Sequence, residues 1–254
     1  MSNVIDLASR RPRPAPATEI LHPAGIRVPI DDPVCAEIVT PEMRGEIDSG
    51  SYSVDLIAHL ADADFAGERV LVIGAGLGIV SSHIAANCGA ERVLAVEADP
   101  RLIGFMNRLH KANGVGWVEA VNAILTHEAG KRVPFYSRPD IRDSSILPSQ
   151  IVADELVLVP TMDLNLILAE ERVDTIVCEI PGASMRFLAE ADLSHVRRIV
   201  LDCSASADEC PDHVDILVEM TKKGFDLVSE GGVIVFERSE AKNTEAPFRA
   251  AADG

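Results

Sequence analysis

The chain has 254 residues, 47% of them apolar, and a formal net charge of -17. This length predicts one well-buried domain with short additions rather than two full-size domains. The acidic balance argues against a surface built to neutralise phosphates, so nucleic acid is not an expected partner, although an acidic surface can also serve solubility alone.

The five cysteines favour a reduced compartment, because their number is odd and none forms a Cys-x-x-Cys pair. Cys203, Cys210 and His213 match no standard zinc spacing, so no metal is predicted. No apolar run reaches the roughly 18 residues of a membrane span, and the N-terminal arginines follow the first apolar residues instead of preceding them. We therefore expect a cytoplasmic protein without a membrane partner.

Both ends of the chain differ in composition from its middle. Residues 1–18 are rich in Pro, Ala and Arg and predict a disordered arm, and residues 241–254 predict a disordered tail. Residues 19–68 contain a short extended piece and a helix with Val54, Leu56, Ile57 and Leu60 on one face. We expect this segment to cap a main domain spanning residues 69–240.

From Val70 onward, apolar strands alternate with helices, which indicates a parallel sheet covered on both faces. The first strand is Val70–Ile73, followed by a glycine loop and a helix to about Asn87. The second is Val93–Glu97, after which Asp99-Pro100 provides an N-cap and a first-turn proline for the next helix.

The rest of the chain continues this alternation and then departs from it. We predict strands at 117–125, 173–179 and 198–203, helices at 184–191 and 211–223, and a long polar loop at 137–150. FDLVSEGGVIVFERS then indicates an antiparallel hairpin. The predicted fold is α/β, a doubly wound, mostly parallel, Rossmann-like sheet of seven strands that ends in this hairpin.

The glycine loop, VLVIGAGLGIVSSHIA, lies between a strand and a helix. Such glycines let the backbone approach a ligand, and the helix N-terminus favours an anionic group. The spacing of Gly74, Gly76 and Gly78 is G-x-G-x-G, and Ile79 stands where a dinucleotide fingerprint has its third glycine. Glu97, 23 residues after Gly74, ends the second strand, where a carboxylate can accept both ribose hydroxyls of an adenosine-containing ligand.

This combination resembles the class I methyltransferases, which bind S-adenosylmethionine. The resemblance is strongest over residues 70–115, where the sequence is most similar to the FkbM family. Three features of the chain resemble that family: the VxAVEADP strand end, a Gly-x-Tyr element seen here as GSYS, and a second block around CEIPGAS. It implies S-adenosylmethionine as cofactor and a cofactor-binding site with these members: Gly74, Ala75, Gly76, Gly78, Glu97, Ala98, Asn122 and Ala123.

Two positions depart from the family pattern. Val72 stands where class I enzymes usually carry an acidic residue that contacts the methionyl ammonium. In the second block, usually D-x-E-G-x-E, only Glu179 matches one of the three carboxylates. These departures bear on substrate choice and on catalytic competence.

Glu179 and Asp202 fall at the predicted carboxyl ends of adjacent strands, where open α/β sheets bind ligands. The family resemblance implies a hydroxyl acceptor, for which Glu179 is the candidate base and Asp202 would orient the substrate. The Asn/Asp-Pro-Pro-aromatic run of amine-directed nucleic-acid methylases is missing from EIPG. Together with the charge, this predicts a small hydroxylated or sugar-like acceptor and no nucleic acid.

Two other functions remain open from the sequence. Val72 and the altered second block favour, as the alternative, a cofactor-binding module with weak or lost transfer activity that serves in regulation or interaction. A nicotinamide-dependent oxidoreductase is disfavoured by the G-x-G-x-G spacing and by the terminal hairpin.

Overall fold

The structure is a computed structural model that describes residues 19–30, 38–147, 155–180, 184–203 and 213–239. The predicted arm and tail lie outside these ranges, as do Cys210 and residues 181–183 of the second block. The strands are β1 Glu19–Leu21, β2 Arg27–Pro29, β3 Arg69–Ile73, β4 Arg92–Glu97, β5 Glu119–Asn122, β6 Ile124–Thr126, β7 Arg132–Ser137, β8 Glu155–Asp163, β9 Thr175–Cys178, β10 Arg198–Asp202, β11 Phe225–Ser229 and β12 Val233–Arg238.

Seven α-helices lie within the described ranges. They are α1 Pro41–Ser49, α2 Val54–Leu60, α3 Ile79–Asn87, α4 Pro100–Ala112, α5 Leu164–Glu170, α6 Ser184–Glu190 and α7 His213–Lys222. The predicted N-cap of α4 is confirmed, because the Asp99 side chain accepts a hydrogen bond from the Arg101 amide and Pro100 opens the helix. In the N-terminal segment, two helices replace the single one predicted.

The main sheet has seven strands in the order β11-β12-β10-β9-β3-β4-β5. The five strands from β10 to β5 in this order are all parallel to one another. β12 runs antiparallel to both of its neighbours, β10 and β11. The predicted fold class is therefore confirmed, including the terminal hairpin. The arrangement is a doubly wound sheet with one reversed strand, β12.

The sheet separates two hydrophobic cores. Along β3, Val70 and Val72 belong to one core, while Leu71 and Ile73 belong to the other. Side chains of a strand point alternately to its two faces, so a continuous apolar run is what a strand covered on both faces needs. The run VLVI thus explains why β3 lies in the middle of the sheet.

A second sheet of three strands, in the order β6-β8-β7, was not predicted. β7 and β8 pair antiparallel from Arg132↔Pro160 to Ser137↔Glu155, and β6 runs parallel to β8. The predicted third strand, 117–125, is divided, because β5 joins the main sheet and β6 joins the small one. None of the helices in the described ranges is long and apolar enough to cross a bilayer.

Candidate functional site

Four sequence-predicted residues lie at one edge of the main sheet. Gly74 follows β3, Glu97 ends β4, Glu179 follows β9, and Asp202 ends β10. The four strands are parallel, so their carboxyl ends share this edge, which is the ligand-binding edge of open α/β sheets. The backbone amide of Glu179 donates to the carbonyl of Ile73 at 2.9 Å, which fixes Glu179 beside the glycine loop.

The glycine loop turns sharply from β3 into α3. Gly74, Gly76 and Gly78 all have positive φ, at +72°, +54° and +86°. A β-carbon on Gly74 would lie 2.4 Å from Cγ1 of Ile180, and one on Gly78 would lie 2.9 Å from Cγ of Met106. Backbone conformation therefore favours glycine at all three positions, and packing requires it at Gly74 and Gly78.

Glu97 ties β4 to this loop through its buried carboxylate. Oε2 accepts from the Gly76 amide at 2.9 Å, and Oε1 accepts from the Asp99 amide at 2.8 Å. Burial raises the pKa of Glu97, and the two amide donors oppose that rise. Each carboxylate oxygen has more than one lone-pair direction, so both can still accept from ribose hydroxyls. The residues present therefore fit the adenosine part of S-adenosylmethionine.

The remaining predicted cofactor residues surround Glu97 and the loop. The Asn122 side-chain amide donates to the backbone carbonyls of Glu97 and Ala98, at 3.0 and 2.8 Å, and so holds the end of β4 in place. Ala98 is partly exposed, whereas Ala75 and Ala123 are buried. Val72 is also fully buried, so its side chain packs in the core beneath the loop.

Glu179 is the most electrostatically unusual group at this edge. The residue as a whole is partly exposed, but its Oε1 is buried and has no hydrogen-bond partner in the described part of the chain. Burial, followed by repulsion from Asp202 and then Glu97, raises the pKa of Glu179 well above its ordinary value. The carboxyl groups of Asp202 and Glu97, on two other strands, are therefore close enough to act on Glu179.

Tyr52 is a further site residue, which the sequence analysis did not assign. It lies between α1 and α2, where the amides of Ser51 and Tyr52 both donate to the Glu46 carbonyl. Its hydroxyl lies 3.4 Å from the position of a β-carbon on Gly76. Burial and then the charge of Glu179 raise the pKa of Tyr52, while Arg142 and the Leu77 amide lower it. The GSYS motif was the available signal.

The described part of the predicted polar loop, residues 137–147, lies near this tyrosine through Arg142. Arg142, in a single 3-10 turn, donates to both carboxylate oxygens of Glu46 at 2.9 Å and also pairs with Asp140. The buried Arg138 guanidinium donates to backbone carbonyls of Tyr136 and Leu147 within the same hairpin. The loop, the N-terminal cap and the carboxyl edge of the sheet therefore border one region.

No family model and no curated protein matches the chain. Solved structures do match it. A candidate tRNA (m1A22) methyltransferase of Streptococcus pneumoniae is 13% identical over 76% of this chain and 72% of its own, with a TM-score of 0.44. A ribosomal protein L11 methylase of Lactobacillus delbrueckii is 13% identical over 75% of this chain and 80% of its own, with a TM-score of 0.44. M. capricolum TrmK, solved with S-adenosylhomocysteine, is 8% identical over 71% of this chain and 66% of its own, with a TM-score of 0.43.

At these identities the likeness concerns the fold alone. The prediction of a small-molecule acceptor with no nucleic-acid partner is nevertheless contradicted, because the matched structures include a candidate tRNA methyltransferase. The physical reason is that a net charge of -17 sums over the whole chain and does not describe the charge at one edge of the sheet. The acidic composition therefore does not exclude nucleic acid.

Proposed function

We propose that the chain is an S-adenosylmethionine-dependent methyltransferase that acts on a hydroxyl group. One observation supports the proposal most: Glu97 is held by the amide of Gly76 at the edge where Glu179 and Asp202 also lie. A ribose-binding carboxylate, a glycine loop and a desolvated carboxyl group are the parts that such a reaction needs. The resemblance to the FkbM family over residues 70–115 agrees with this assignment and supplies the hydroxyl acceptor.

In this proposal, Gly74, Gly76 and Glu97 would hold the cofactor, with Tyr52 beside the loop. When bound, S-adenosylmethionine supplies a methyl group on a positively charged sulfur, and its transfer breaks an S–C bond, forms an O–C bond and frees one proton. In-line displacement depends chiefly on alignment and on the exclusion of water, so the chain need not supply a nucleophile.

Glu179 is the group placed to accept that proton. Its buried Oε1 has no hydrogen-bond partner in the described ranges, so it is available to an acceptor hydroxyl. A carboxyl group with a raised pKa is a stronger base in its ionised form than an ordinary carboxylate, which suits general-base catalysis near neutral pH. Asp202, on the neighbouring strand, would orient the acceptor.

A second candidate function is a cofactor-binding module without transfer activity. Val72 supports it, because this apolar side chain is fully buried at the position where class I enzymes usually carry an acidic residue. This alternative differs from the first in turnover and not in binding. A screen for radiolabelled methyl transfer therefore separates the two once binding is established.

Calorimetric titration with S-adenosylmethionine, S-adenosylhomocysteine and NADH tests the proposal. We expect both adenosyl ligands to bind and NADH not to bind. Glu97→Gln should weaken binding by about 10- to 100-fold, since hydrogen bonds to a charged group contribute roughly 1.5–3 kcal/mol. The matched control is Glu91→Gln, an exposed residue next to the start of β4.

Two results would overturn the assignment. One is the absence of S-adenosylmethionine binding by a folded protein. The other is thermal protection by NADH where S-adenosylmethionine gives none, which would point to an oxidoreductase. Unchanged affinity in Glu97→Gln would remove Glu97 from the site and leave the cofactor assignment to the glycine loop alone.

A further inference from the structure

The carboxyl group of Glu179 has an unusual set of neighbours. The charged groups that raise its pKa are both acidic, Asp202 on β10 and Glu97 on β4. The Tyr52 phenol faces it from the connection between α1 and α2, and Arg142 acts on that phenol from the polar loop. In the described ranges, Oε1 receives no hydrogen bond that would stabilise a negative charge.

Glu97 differs from Glu179 in this respect. Both oxygens of Glu97 accept backbone amides, from Gly76 and Asp99, and these bonds favour the ionised form. When burial and repulsion act on two neighbouring carboxyl groups, the one that accepts fewer hydrogen bonds is the more readily protonated. The surroundings therefore favour the protonated form of Glu179 more than that of Glu97.

We propose that S-adenosylmethionine releases this proton from Glu179 when it binds, whereas S-adenosylhomocysteine leaves Glu179 protonated. The inference rests on the proposed function. The two ligands differ by one methyl group and by the positive charge on sulfur. Glu179 is fixed beside the glycine loop by the bond from its amide to Ile73, so it is placed to respond to that charge.

The physical basis is that a positive charge on the ligand replaces the proton on the Glu179 carboxyl group. A positive charge within about 4–6 Å favours the ionised form of a carboxyl group, by 1–3 pKa units for a typical pair. The proton leaves to solvent, and the resulting carboxylate compensates the cation that displaced it. Glu179 would thus become a competent base only with the methyl donor present, and the neutral product would reverse the change.

Calorimetry in buffers of different ionisation enthalpy measures the number of protons released on binding. At pH 7 we expect S-adenosylmethionine to release more protons than S-adenosylhomocysteine, with a difference of at most one. In Glu179→Gln this difference should vanish while binding persists, and in the control Glu91→Gln it should remain. Equal proton release by the two ligands in the native chain would overturn the proposal, as would an undiminished difference in Glu179→Gln.

A second measurement on the native chain does not depend on the variant folding. The affinity for S-adenosylmethionine divided by that for S-adenosylhomocysteine should rise with pH, by up to about tenfold per pH unit. This rise is expected while Glu179 is protonated in the free protein and in the S-adenosylhomocysteine complex but ionised in the S-adenosylmethionine complex. A ratio independent of pH between 5 and 8 would contradict the linkage. If S-adenosylmethionine does not bind at all, the proposed function fails; if it binds without proton release, only this inference fails.

Discussion

Ile180 covers Gly74 so closely that any side chain on Gly74 would collide with it, at 2.4 Å from Cγ1. Because Ile180 directly follows Glu179, this contact also fixes the course of the backbone beside the candidate base. The glycine loop and the carboxyl end of β9 are thus joined by packing as well as by the hydrogen bond between Glu179 and Ile73.

Gly74→Ala should destabilise the protein more than a positive φ alone explains. A left-handed backbone costs about 1–2 kcal/mol for a non-glycine residue, and overpacking adds roughly 1–3 kcal/mol. Gly67→Ala is the matched control, since Gly67 has a similar φ of +74° and a β-carbon added there would have no neighbour within 4 Å. Denaturant unfolding should show the larger loss for Gly74→Ala, and equal losses would contradict the contact with Ile180.

Tyr52→Phe should weaken S-adenosylmethionine binding while leaving the fold intact. The variant keeps the ring but removes the hydroxyl that faces Gly76 and Leu77. A neutral hydrogen bond contributes about 0.5–1.5 kcal/mol, so the Kd should rise about two- to tenfold. Tyr136→Phe, on β7, is the control. An unchanged Kd would place the Tyr52 hydroxyl outside the cofactor site.

Glu179→Gln should lower kcat by about 10²- to 10⁴-fold, the usual contribution of a general base. Cofactor affinity should stay within about tenfold, because the backbone contact of residue 179 with Ile73 is retained. The measurement is methyl transfer from labelled cofactor to an acceptor found by screening, with Glu91→Gln as the control. Full turnover in Glu179→Gln would assign the base to another group.

Because of His110, the free energy of unfolding should increase as the pH rises from 4 to 6.5. Burial lowers the pKa of His110 to about 4, below its ordinary 6.5. Between these values the unfolded chain binds the proton and the folded chain does not, so stability is lost as the pH falls. The difference of 2.5 units corresponds to about 3 kcal/mol between pH 6.5 and pH 4.

The comparison of His110→Gln with the native chain isolates this effect from the titration of other groups. Ser81 Oγ donates its single proton to the Gly78 carbonyl at 3.1 Å, so His110 Nε2 is the donor in its 2.9 Å bond to Ser81, a role that glutamine can also fill. Unfolding in denaturant at several pH values should show a shallower dependence in the variant. His59→Gln, at an exposed site, should retain the native slope.

Arg138→Met should loosen the hairpin formed by β7 and the polar loop. The fully buried guanidinium donates to three backbone carbonyls, those of Tyr136, Asp143 and Leu147, which the variant leaves without this donor. The Ser145 amide, bonded to the Tyr136 carbonyl at 3.2 Å, reports on the hairpin. Its hydrogen exchange should accelerate in Arg138→Met and stay slow in Arg132→Met, an exposed position on the same strand.

Much of the main sheet follows from local signals. The run VLVI with its glycine loop, and Asp99-Pro100 after the second strand, combine strand, turn and cap chemistry within short stretches. The same locality explains why Glu179 and Asp202 could be placed at one edge, since parallel strands share their carboxyl ends.

The small sheet and Tyr52 could not be predicted in this way. β8 contains Pro160, a residue that argues against a strand inside a sheet. Its pairing with β7 also spans a long stretch of sequence, so local signals do not reveal it. Tyr52 reaches the glycine loop only through the packing of the connection between α1 and α2. The prediction of no nucleic-acid partner was wrong because the net charge is a sum over the whole chain and does not describe the charge at the ligand-binding edge.

The hydrogen bond from Glu179 to Ile73 has a consequence for engineering. The spacing between the candidate base and the glycine loop is set by the register of two backbones, with Ile73 opposite Cys178, and by no surface loop. Exchanging residues of the polar loop within 138–147 should therefore leave the spacing between Glu179 and the glycine loop unchanged. Under the proposed function, acceptor preference could be changed through such exchanges while the sheet keeps this spacing constant.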